Sequence, residues 1–574
     1  MHWADSIAKA LSHRGDKHVI ASGITPSGEF HIGHLREILT SDIIKRACWN
    51  DMIKTGVEAE FVFFVDDADP LRKVYSFLDD SYEQYIGHQL ANIPPPDENG
   101  VPDLQRFQQG VSYAQHFLEP FKHSLNILGV EIDEYIYNYD AYKSGKFAEV
   151  SRIACNRADE IREIIERVSG RELDENWFPW NPIDAKGCMD GITVTGWDDP
   201  LVHWVDSEGN SGQSDVTKGE GKLPWRIDWP AKWAWRRVTM EPFGKDHGAA
   251  GGSYDTGKEI VKLFDAEPPY PTTYEWISLK GAGAMSSSTG VTIGPLEALR
   301  LVPPQIMRYL IARNQPKRHI DFDTGTALIE LADEYQRCLS ETVSGERESG
   351  WWDVLSRRQQ KAWKDMVSRI GYAQVDRFKS TAITSFSQTI GVREKADGRI
   401  DEDTHYLDNS YLGISNITFR HLALLAQLRE NDDAIWESVR RSGLIHDEPT
   451  ENEILRLQLM RNWIASPHFP DGFKLRIQTV ISDGAKENMD SRDVEYVRDL
   501  TGAFSDCDWD WATINNHVCE LAKEREMKLR DAFQLMYWIV LDQDFGPKLA
   551  SILEEMDRTA VLSLLQSAID ELSA

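Results

Sequence analysis

Two histidines, His31 and His34, are the side chains of this sequence whose spacing is best suited to chemistry. They lie in the segment Thr25-Pro-Ser-Gly-Glu-Phe-His-Ile-Gly-His34, between an apolar run at 18–22 and a helix-like stretch. Residues three apart share one face of a helix, so both rings could donate hydrogen bonds to the same triphosphate. The helix N-terminus adds free backbone N–H groups and the positive end of a dipole. The pattern predicts a phosphate-binding loop, in which Gly33 leaves room for a flat ring such as adenine.

A second candidate is the loop Gly281-Ala-Gly-Ala-Met-Ser-Ser-Ser-Thr-Gly290, where glycines flank a run of hydroxyl groups. Such a loop can wrap a polyphosphate and supply backbone and serine donors. A Ser-rich loop taken alone is more often an ordinary surface loop. This one follows the predicted nucleotide-binding region, and that position favours a role at the phosphates.

A third candidate is the stretch Glu241–Asp255, which contains the turn Gly244-Lys-Asp246 before a helix rich in small residues. Asp246 could accept hydrogen bonds from the hydroxyl groups of a ribose. It could equally be the N-cap of an ordinary helix. The sequence leaves these two interpretations open.

The elements that position these residues follow an α/β pattern and then a helical one. Short apolar runs around a helix-like stretch predict a βαβ unit with buried parallel strands. Its predicted strands are 18–22 and 60–65, and a helix is predicted at 105–128. Gly-, Asp- and Trp-rich, β-prone pieces from about 174 to 222 indicate an insertion, and helical periodicity dominates from Pro295 onward.

Composition places the chain among ordinary folded proteins. It has 574 residues, of which 41% are hydrophobic, and a formal net charge of -30. That charge argues against non-specific nucleic-acid binding but allows a local basic surface. The six cysteines are scattered and form no Cys-x-x-Cys pair, so a disulfide framework is not expected. No signal peptide or membrane-spanning run is found, and a cytoplasmic protein without a membrane partner is expected.

Taken together, the motifs resemble those of the class I lysyl-tRNA synthetases of archaeal type. The family's His-Ile-Gly-His motif is present verbatim at 31–34, and the similarity runs from the N-terminus to about Leu549. Further similar stretches are Ser22–Gly28, Asp69–Lys73, His116–Phe121, Asp228–Ala231, Glu241–Asp255, Tyr274–Ile277, Leu331–Tyr335, Phe419–Leu422 and Ala522–Glu524.

The resemblance implies a Rossmann-type class I catalytic domain with an inserted connective domain, followed by an all-α C-terminal domain. The implied boundaries are 1–294 for the catalytic domain, with the connective insertion at about 75–222. A stem-contact segment at 295–345 and an all-α anticodon-binding domain at 346–574 would follow. Proteins read splayed loop bases of RNA most easily, which suits an anticodon reader.

The resemblance also implies the reaction. ATP, as its Mg²⁺ complex, would activate L-lysine to lysyl-adenylate, and the lysyl group would pass to the terminal adenosine of tRNA-Lys. Positioning and charge stabilisation would supply most of the catalysis. The implied catalytic residues are His31, His34, Ser286, Ser287 and Ser288.

The resemblance also implies two sets of ligand-binding residues. The implied ATP-binding residues are Pro26, Gly33, Gly244, Asp246 and Met285. The implied lysine-binding residues are Gly23, Thr25, Trp225, His247 and Tyr274. Aromatic faces suit a lysine stem, and its ammonium should find a carboxylate. Asp66, Asp228 and Glu275 are candidates, and the sequence selects none of them.

The sequence departs from the family in two places. Ala284 and Ser287 occupy the positions of the two lysines in the family's mobile loop, and Lys280 is hypothesised to reach the phosphates instead. The family's zinc-binding cysteine pairs are reduced here to Cys188, so no structural zinc is expected.

Two alternatives remain open at this level. A small-molecule adenylyltransferase of the His-x-Gly-His superfamily would share the first motif but would not need the long helical region. A tRNA-binding paralogue with impaired catalysis is supported by the missing loop lysines.

Overall fold

The fold is described from a computed structural model of the chain. It describes residues 3–48, 57–280, 283–284, 293–325, 327–335 and 415–573. These residues belong to two compact units, the first extending to Asp323 and the second beginning at Thr324.

A five-stranded parallel sheet forms the centre of the first unit. Its strand order is β10-β9-β1-β2-β3, and every neighbouring pair is parallel. The strands are β1 (Lys17–Ile24), β2 (Glu58–Val65), β3 (Glu134–Tyr137), β9 (Met240–Gly244) and β10 (Tyr270–Tyr274). Helix α2 (Ile32–Cys48) connects β1 to β2, which confirms the predicted βαβ unit.

The central strands are apolar because both of their faces are covered. Ile20 and Ala21 of β1 are fully buried, as are Phe61 to Val65 of β2. Such runs are typical of strands inside parallel sheets. Register pairs Gly23 with Phe64 and Ile24 with Val65, so the two strands end side by side. The carboxyl edge of such a sheet is where open α/β folds bind ligands.

Helices surround this sheet. Besides α2, they are α1 (Trp3–Ser12), α3 (Leu104–Gln108), α4 (Tyr113–Ile127), α5 (Asn138–Lys143), α6 (Ala148–Asn156), α7 (Ala158–Ser169), α8 (Trp225–Arg236), α9 (Ser253–Leu263), α10 (Pro295–Leu301) and α11 (Pro304–Ala312). The single helix predicted at 105–128 is two helices, α3 and α4. Gly110 has φ +92° between them, and Ser112 and Gln115 form a capping box that starts α4.

A β-rich module, residues 181–222, is set apart from the main sheet. Its strands are β4 (Asn181–Pro182), β5 (Thr193–Asp198), β6 (Leu201–Val205), β7 (Ser211–Asp215) and β8 (Gly221–Lys222). Strands β5, β6 and β7 form an antiparallel meander, and β4 pairs with β8. The predicted insertion at about 75–222 also includes β3, which pairs with β2 in the main sheet. The predicted domain boundaries stay predictions.

A small sheet completes the first unit, and the described part of the second unit is helical. The small sheet contains β11 (Ile277–Leu279), β12 (Gly283–Ala284) and β13 (Ile320–Phe322). In the second unit, residues 327–335 are helical. Its further α-helices are Phe419–Leu428, Asp432–Arg441, Glu451–Ala465, Asp483–Asn488, Val494–Asp506, Trp511–Glu524, Leu529–Leu541, Leu549–Glu555 and Arg558–Ser573. The predicted fold class, an α/β domain followed by an all-α domain, is confirmed.

One buried ion pair joins α2 to α11. The Arg308 guanidinium contacts the Asp42 carboxylate, and both side chains are completely buried. Arg308 also donates to the Leu128 carbonyl at 3.1 Å. Arg46 lies 2.9 Å from the same carboxylate. The pair fixes the helix that follows the predicted phosphate loop against α11, near the end of the first unit.

Loss of Arg308 should destabilise the first unit strongly. Arg308→Met leaves the Asp42 charge buried without its main partner, so the free energy of unfolding should fall by about 3 kcal/mol. Urea unfolding followed by tryptophan fluorescence measures it. Lys17→Ala, at the exposed Lys17–Glu58 pair, is the matched control and should cost under about 1 kcal/mol. Equal losses in the two variants would contradict this role of the pair.

Candidate functional site

A pocket of about 520 Å³ opens at the carboxyl edge of the main sheet. The ends of β1, β9 and β10 and the starts of α2 and α8 form its walls. Its lining residues are Gly23, Ile24, Thr25, His31, Gly33, His34, Glu37, Ile38, Phe64, Asp66, Trp225, Trp229, Lys232, Glu241, Pro242, Phe243, His247, Tyr274, Trp276 and Ile277.

The two histidines lie together at the start of α2. Their ring centroids are 4.0 Å apart. Nδ1 of His31 accepts a hydrogen bond from the Gly33 N–H at 3.1 Å, so a neutral His31 ring carries its proton on Nε2. Nδ1 of His34 lies 3.1 Å from the His31 backbone nitrogen. Local backbone contacts therefore hold both rings at the pocket wall.

Partial burial favours the neutral form of both imidazoles. Desolvation lowers the pKa of His31 to about 4. Desolvation and the neighbouring His31 lower the pKa of His34 to about 3. Near pH 7 the pair can therefore act as neutral hydrogen-bond donors, but it adds no positive charge to the pocket.

The residues predicted to bind lysine all line this pocket. Trp225 and His247 lie with their ring centroids 5.2 Å apart. The Tyr274 hydroxyl donates to Glu37 at 2.6 Å. Gly23 and Thr25 lie at the end of β1 and in the loop after it. The structure thus brings the five residues together, and their role stays a prediction.

The residues predicted to bind ATP are more dispersed. Gly33 lines the pocket, whereas Pro26, Gly244 and Asp246 are not among its lining residues. Asp246 lies exposed in the turn after β9. Helix α9 begins at Ser253 with Gly252 as its N-cap, so Asp246 does not cap it. The alternative of an N-capping aspartate is therefore wrong, and ribose binding remains as the prediction for Asp246.

The predicted serine loop cannot be placed in the same way. Met285, Ser286, Ser287 and Ser288 lie outside the described residues. Lys280, just before the loop, has its ammonium 2.7 Å from Asp323 and a side chain that is 65% exposed. Its proposed reach to the phosphates stays a hypothesis.

Two carboxylates of the pocket were missed by the sequence reasoning. Glu37 accepts hydrogen bonds from the Ser22 hydroxyl at 2.6 Å and from the Gly23 N–H at 3.2 Å. Glu241 accepts hydrogen bonds from two indole N–H groups, those of Trp229 (3.0 Å) and Trp233. Both had a sequence signal. Glu37 follows His34 by three residues, on the same face of α2, and Glu241 interrupts an apolar strand.

Within the part of the chain that the structure describes, neither missed carboxylate has a basic ion-pair partner; Glu241 is buried and Glu37 partly buried. Among the described side chains, no lysine or arginine forms an ion pair with Glu37 or Glu241. Desolvation raises the pKa of Glu37. Desolvation, assisted by Glu37, raises the pKa of Glu241 to about 7. Partially unpaired acids of this kind are suited to receive a cation from a ligand.

The three carboxylates suggested for the lysine ammonium are already paired. Lys232 contacts Asp66 and lies 2.8 Å from Asp228. Lys245 lies 2.8 Å from Glu275. Glu37 and Glu241 are therefore better placed to receive an added positive charge.

Comparison with known proteins finds a matching family model and similar proteins that agree with each other. A family model described as tRNA synthetases class I (K) matches residues 1–362. A lysine–tRNA ligase of Picrophilus torridus is 34% identical over 574 residues, which cover 100% of this chain and 100% of the relative. A lysine–tRNA ligase of Archaeoglobus fulgidus is 34% identical over 573 residues, 99% of this chain and 100% of its own. Lysine–tRNA ligase 1 of Methanosarcina acetivorans is 44% identical over 341 residues, 59% of this chain and 61% of its own.

The parallel sheet, with the His-Ile-Gly-His turn leading from its first strand into α2, has the architecture of a class I aminoacyl-tRNA synthetase. Within that class, the chain belongs to the family of class I (K) tRNA synthetases. The resemblance drawn from the motifs is confirmed.

Two further expectations concern metal and membrane. The described ranges contain no group of three or more His, Cys, Asp or Glu side chains arranged to hold a metal ion. The expectation that the protein carries no zinc stays a prediction for metal analysis. Within the same part of the chain, no helix has the length and apolar character needed to cross a bilayer.

The neutrality of the histidines can be measured directly. In protein labelled with ¹³C at histidine Cε1, the His31 and His34 signals should not titrate between about pH 5.5 and 8, because burial disfavours the imidazolium. His31→Asn and His34→Asn variants assign the signals. A free histidine titrates at about pH 6.5. The same midpoint for either ring would contradict the lowered pKa values.

Proposed function

We propose that this protein is a lysine–tRNA ligase that activates L-lysine with ATP and transfers it to the 3′-terminal adenosine of tRNA-Lys. One observation supports this best. A single pocket combines two neutral histidines at a helix N-terminus with two desolvated carboxylates, Glu37 and Glu241, that lack a basic partner. The relatives that match the full chain are lysine–tRNA ligases. We place this activity in the cytoplasm.

The first step forms the adenylate. A carboxylate oxygen of lysine attacks the α-phosphorus of ATP, the bond to the bridging oxygen of the β-phosphate breaks, and pyrophosphate leaves. His31 and His34 donate hydrogen bonds to the phosphates and strengthen them as charge develops. Since neutral rings add no charge, the negative charge of the phosphates would be compensated by the Mg²⁺ that accompanies the nucleotide, by the N-terminus of α2 and, as hypothesised, by Lys280.

The second step transfers the amino acid. A hydroxyl of the terminal ribose of the tRNA attacks the lysyl carbonyl carbon and loses its proton to solvent, the bond between that carbon and the phosphate oxygen breaks, and AMP leaves. Both steps proceed without a covalent enzyme intermediate, so positioning of the reactants supplies much of the acceleration. The Ser286–Ser288 loop is proposed to close over the phosphates, and Asp246 to accept from the ATP ribose. The helices of the second unit are proposed to read the anticodon.

The part of the pocket formed by the predicted lysine-binding residues suits a long cationic side chain. Trp225 and Tyr274 offer aromatic surface for the methylene stem, and Glu37 and Glu241 offer acceptors for ammonium groups. A Cβ added to Gly23 would meet protein atoms no closer than 3.5 Å, which is ordinary contact. Packing within the protein therefore does not require this glycine, and space for the ligand explains it.

Neither alternative gains an observation in its favour. A small-molecule adenylyltransferase would leave the helical second unit without a purpose, although the similarity to the ligases extends through it. An impaired paralogue rests only on Ala284 and Ser287, of which Ser287 lies outside the described residues.

The function is tested by ATP–pyrophosphate exchange with each amino acid in turn, with and without tRNA-Lys, followed by charging of that tRNA. Lysine alone should support exchange and charging. His31→Ala/His34→Ala should lower charging by at least about 100-fold, because the phosphate donors are lost. Exchange with no amino acid but retained tRNA binding would indicate the paralogue. Full charging by the double variant would contradict the placement of the active site.

Glu241 should make lysine use dependent on pH. Its raised pKa means that it is neutral below and charged above about pH 7. At saturating ATP and tRNA, kcat/KM for lysine should therefore fall as the pH decreases through this value, because the protonated acid no longer attracts an ammonium. Glu241→Gln should lower kcat/KM by about tenfold at high pH and remove the inflection.

The control for this variant is Glu259→Gln. Glu259 is a partly exposed acid of α9 whose carboxylate lies 2.6 Å from Arg167, and it does not line the pocket. Its pH profile should match that of the wild type. A Glu241→Gln profile that keeps the inflection near pH 7 would show that another group controls lysine use.

A further inference from the structure

A second buried ion pair lies directly behind the pocket. Lys222 contacts Asp69, and the two side chains are only 3% and 4% exposed. Lys222 belongs to β8, the last strand of the β-rich module, and Asp69 lies in the loop that follows β2. Neither residue lines the pocket. A hydrogen-bonded connection from this pair to a ligand must therefore pass through a residue that does.

Thr25 is that residue. Its hydroxyl donates to Oδ2 of Asp69 at 3.0 Å, while Lys222 contacts Oδ1 of the same carboxylate. Thr25 lines the pocket at the end of β1. The three residues form a continuous connection from the β-rich module to the pocket wall.

The direction of the hydrogen bond decides what Thr25 can offer a ligand. A hydroxyl has one proton and two lone pairs, and an ionised carboxylate can only accept. Because the proton of Thr25 is committed to Asp69, only its lone pairs remain available to a ligand. Lys222 holds Asp69 ionised, since its charge outweighs the effect of burial and the pKa of Asp69 lies below its ordinary value. The Thr25 hydroxyl is therefore fixed as an acceptor.

We propose that Lys222 and Asp69 are positioning residues that hold the Thr25 hydroxyl as a hydrogen-bond acceptor for an ammonium group of the lysine substrate. The proposal rests on the proposed function. It makes the β-rich module part of substrate recognition, although the module itself supplies no residue to the pocket. An ammonium has only donors, so a fixed acceptor favours it over a neutral or acidic group.

The neighbouring cluster has a different relation to the pocket. Lys232, which pairs with Asp66 and Asp228, lines the pocket itself, as does Asp66. Asn138 donates to Asp66, and Tyr142 donates to Asp228. Substitutions there would alter the pocket wall directly. The Lys222–Asp69 pair is therefore the better subject for a test of indirect positioning.

The test replaces the pair as a unit, because removing one partner would leave an uncompensated buried charge. In Asp69→Asn/Lys222→Met the site becomes neutral at similar volume, and an Asn amide can donate to Thr25 instead of accepting from it. KM for lysine should rise by about tenfold, whereas kcat and KM for ATP should change by less than about twofold. Thr25→Val should raise KM for lysine similarly, whereas Thr25→Ser, which keeps the hydroxyl, should have a KM near that of the wild type.

Combining the changes separates positioning from a structural role. If the pair acts through Thr25, adding Thr25→Val to the neutral pair should raise KM no further. Arg429→Met/Glu555→Gln, at a largely buried ion pair of the second unit, is the matched control. Neither residue lines the pocket, so KM for lysine should stay unchanged.

Three results would overturn the proposal. The first is an unchanged KM for lysine in Asp69→Asn/Lys222→Met. The second is a triple variant in which the KM increases caused by the neutral pair and by Thr25→Val multiply. The third is a change in KM that the matched control reproduces. In each case wild-type charging with lysine would leave the proposed function intact. A wild-type protein that charges no lysine would overturn both.

Discussion

The burial of charge at the carboxyl edge of the parallel sheet is the constraint on which the rest of the site depends. Asp66, Asp69, Asp228 and Glu241 are buried there, and so are Lys222 and Lys232. A buried charge is tolerated only when it is paired or hydrogen-bonded. The lysines neutralise part of this acidity, and Glu241 and the partly buried Glu37 keep only neutral donors. The pocket is thus built with an excess of acceptors, which a ligand with two ammonium groups would balance.

The same desolvation has the opposite consequence for the other wall. It keeps His31 and His34 neutral, so the phosphate side offers donors without charge. A polyphosphate carries several negative charges, and neither imidazole compensates them. Family members have lysines in the mobile loop for this purpose, whereas this sequence has Ala284 and Ser287. In the proposed mechanism, positive charge at the phosphates comes instead from the nucleotide's Mg²⁺, from the N-terminus of α2 and, as hypothesised, from Lys280.

The sequence predicted much of this arrangement because several patterns were local. The run at 18–22, the His-Ile-Gly-His turn and the run at 60–65 define strand, loop, helix and strand by periodicity and glycine position alone. Where the sequence prediction was wrong or left open, local backbone conformation decided the outcome. Gly110 and the Ser112 capping box divide one predicted helix into α3 and α4. Helix α9 begins at Ser253, which removed Asp246 from consideration as its N-cap.

The sequence by itself indicated the phosphate-binding strand, turn and helix, since these patterns arise from residues that are neighbours along the chain, and its motifs indicated the class of protein through resemblance to a family. Through resemblance to a family, it also supplied five predicted lysine-binding residues, which are Gly23, Thr25, Trp225, His247 and Tyr274. Only the tertiary structure decided which carboxylates are free to meet a cation. Asp66 and Asp228 looked available until the fold placed Lys232 beside them, and Glu37 and Glu241 went unnoticed. Desolvation, and the pairing of Asp66 with Lys232, depend on residues distant in sequence, and their effect on each acid exists only once the chain has folded.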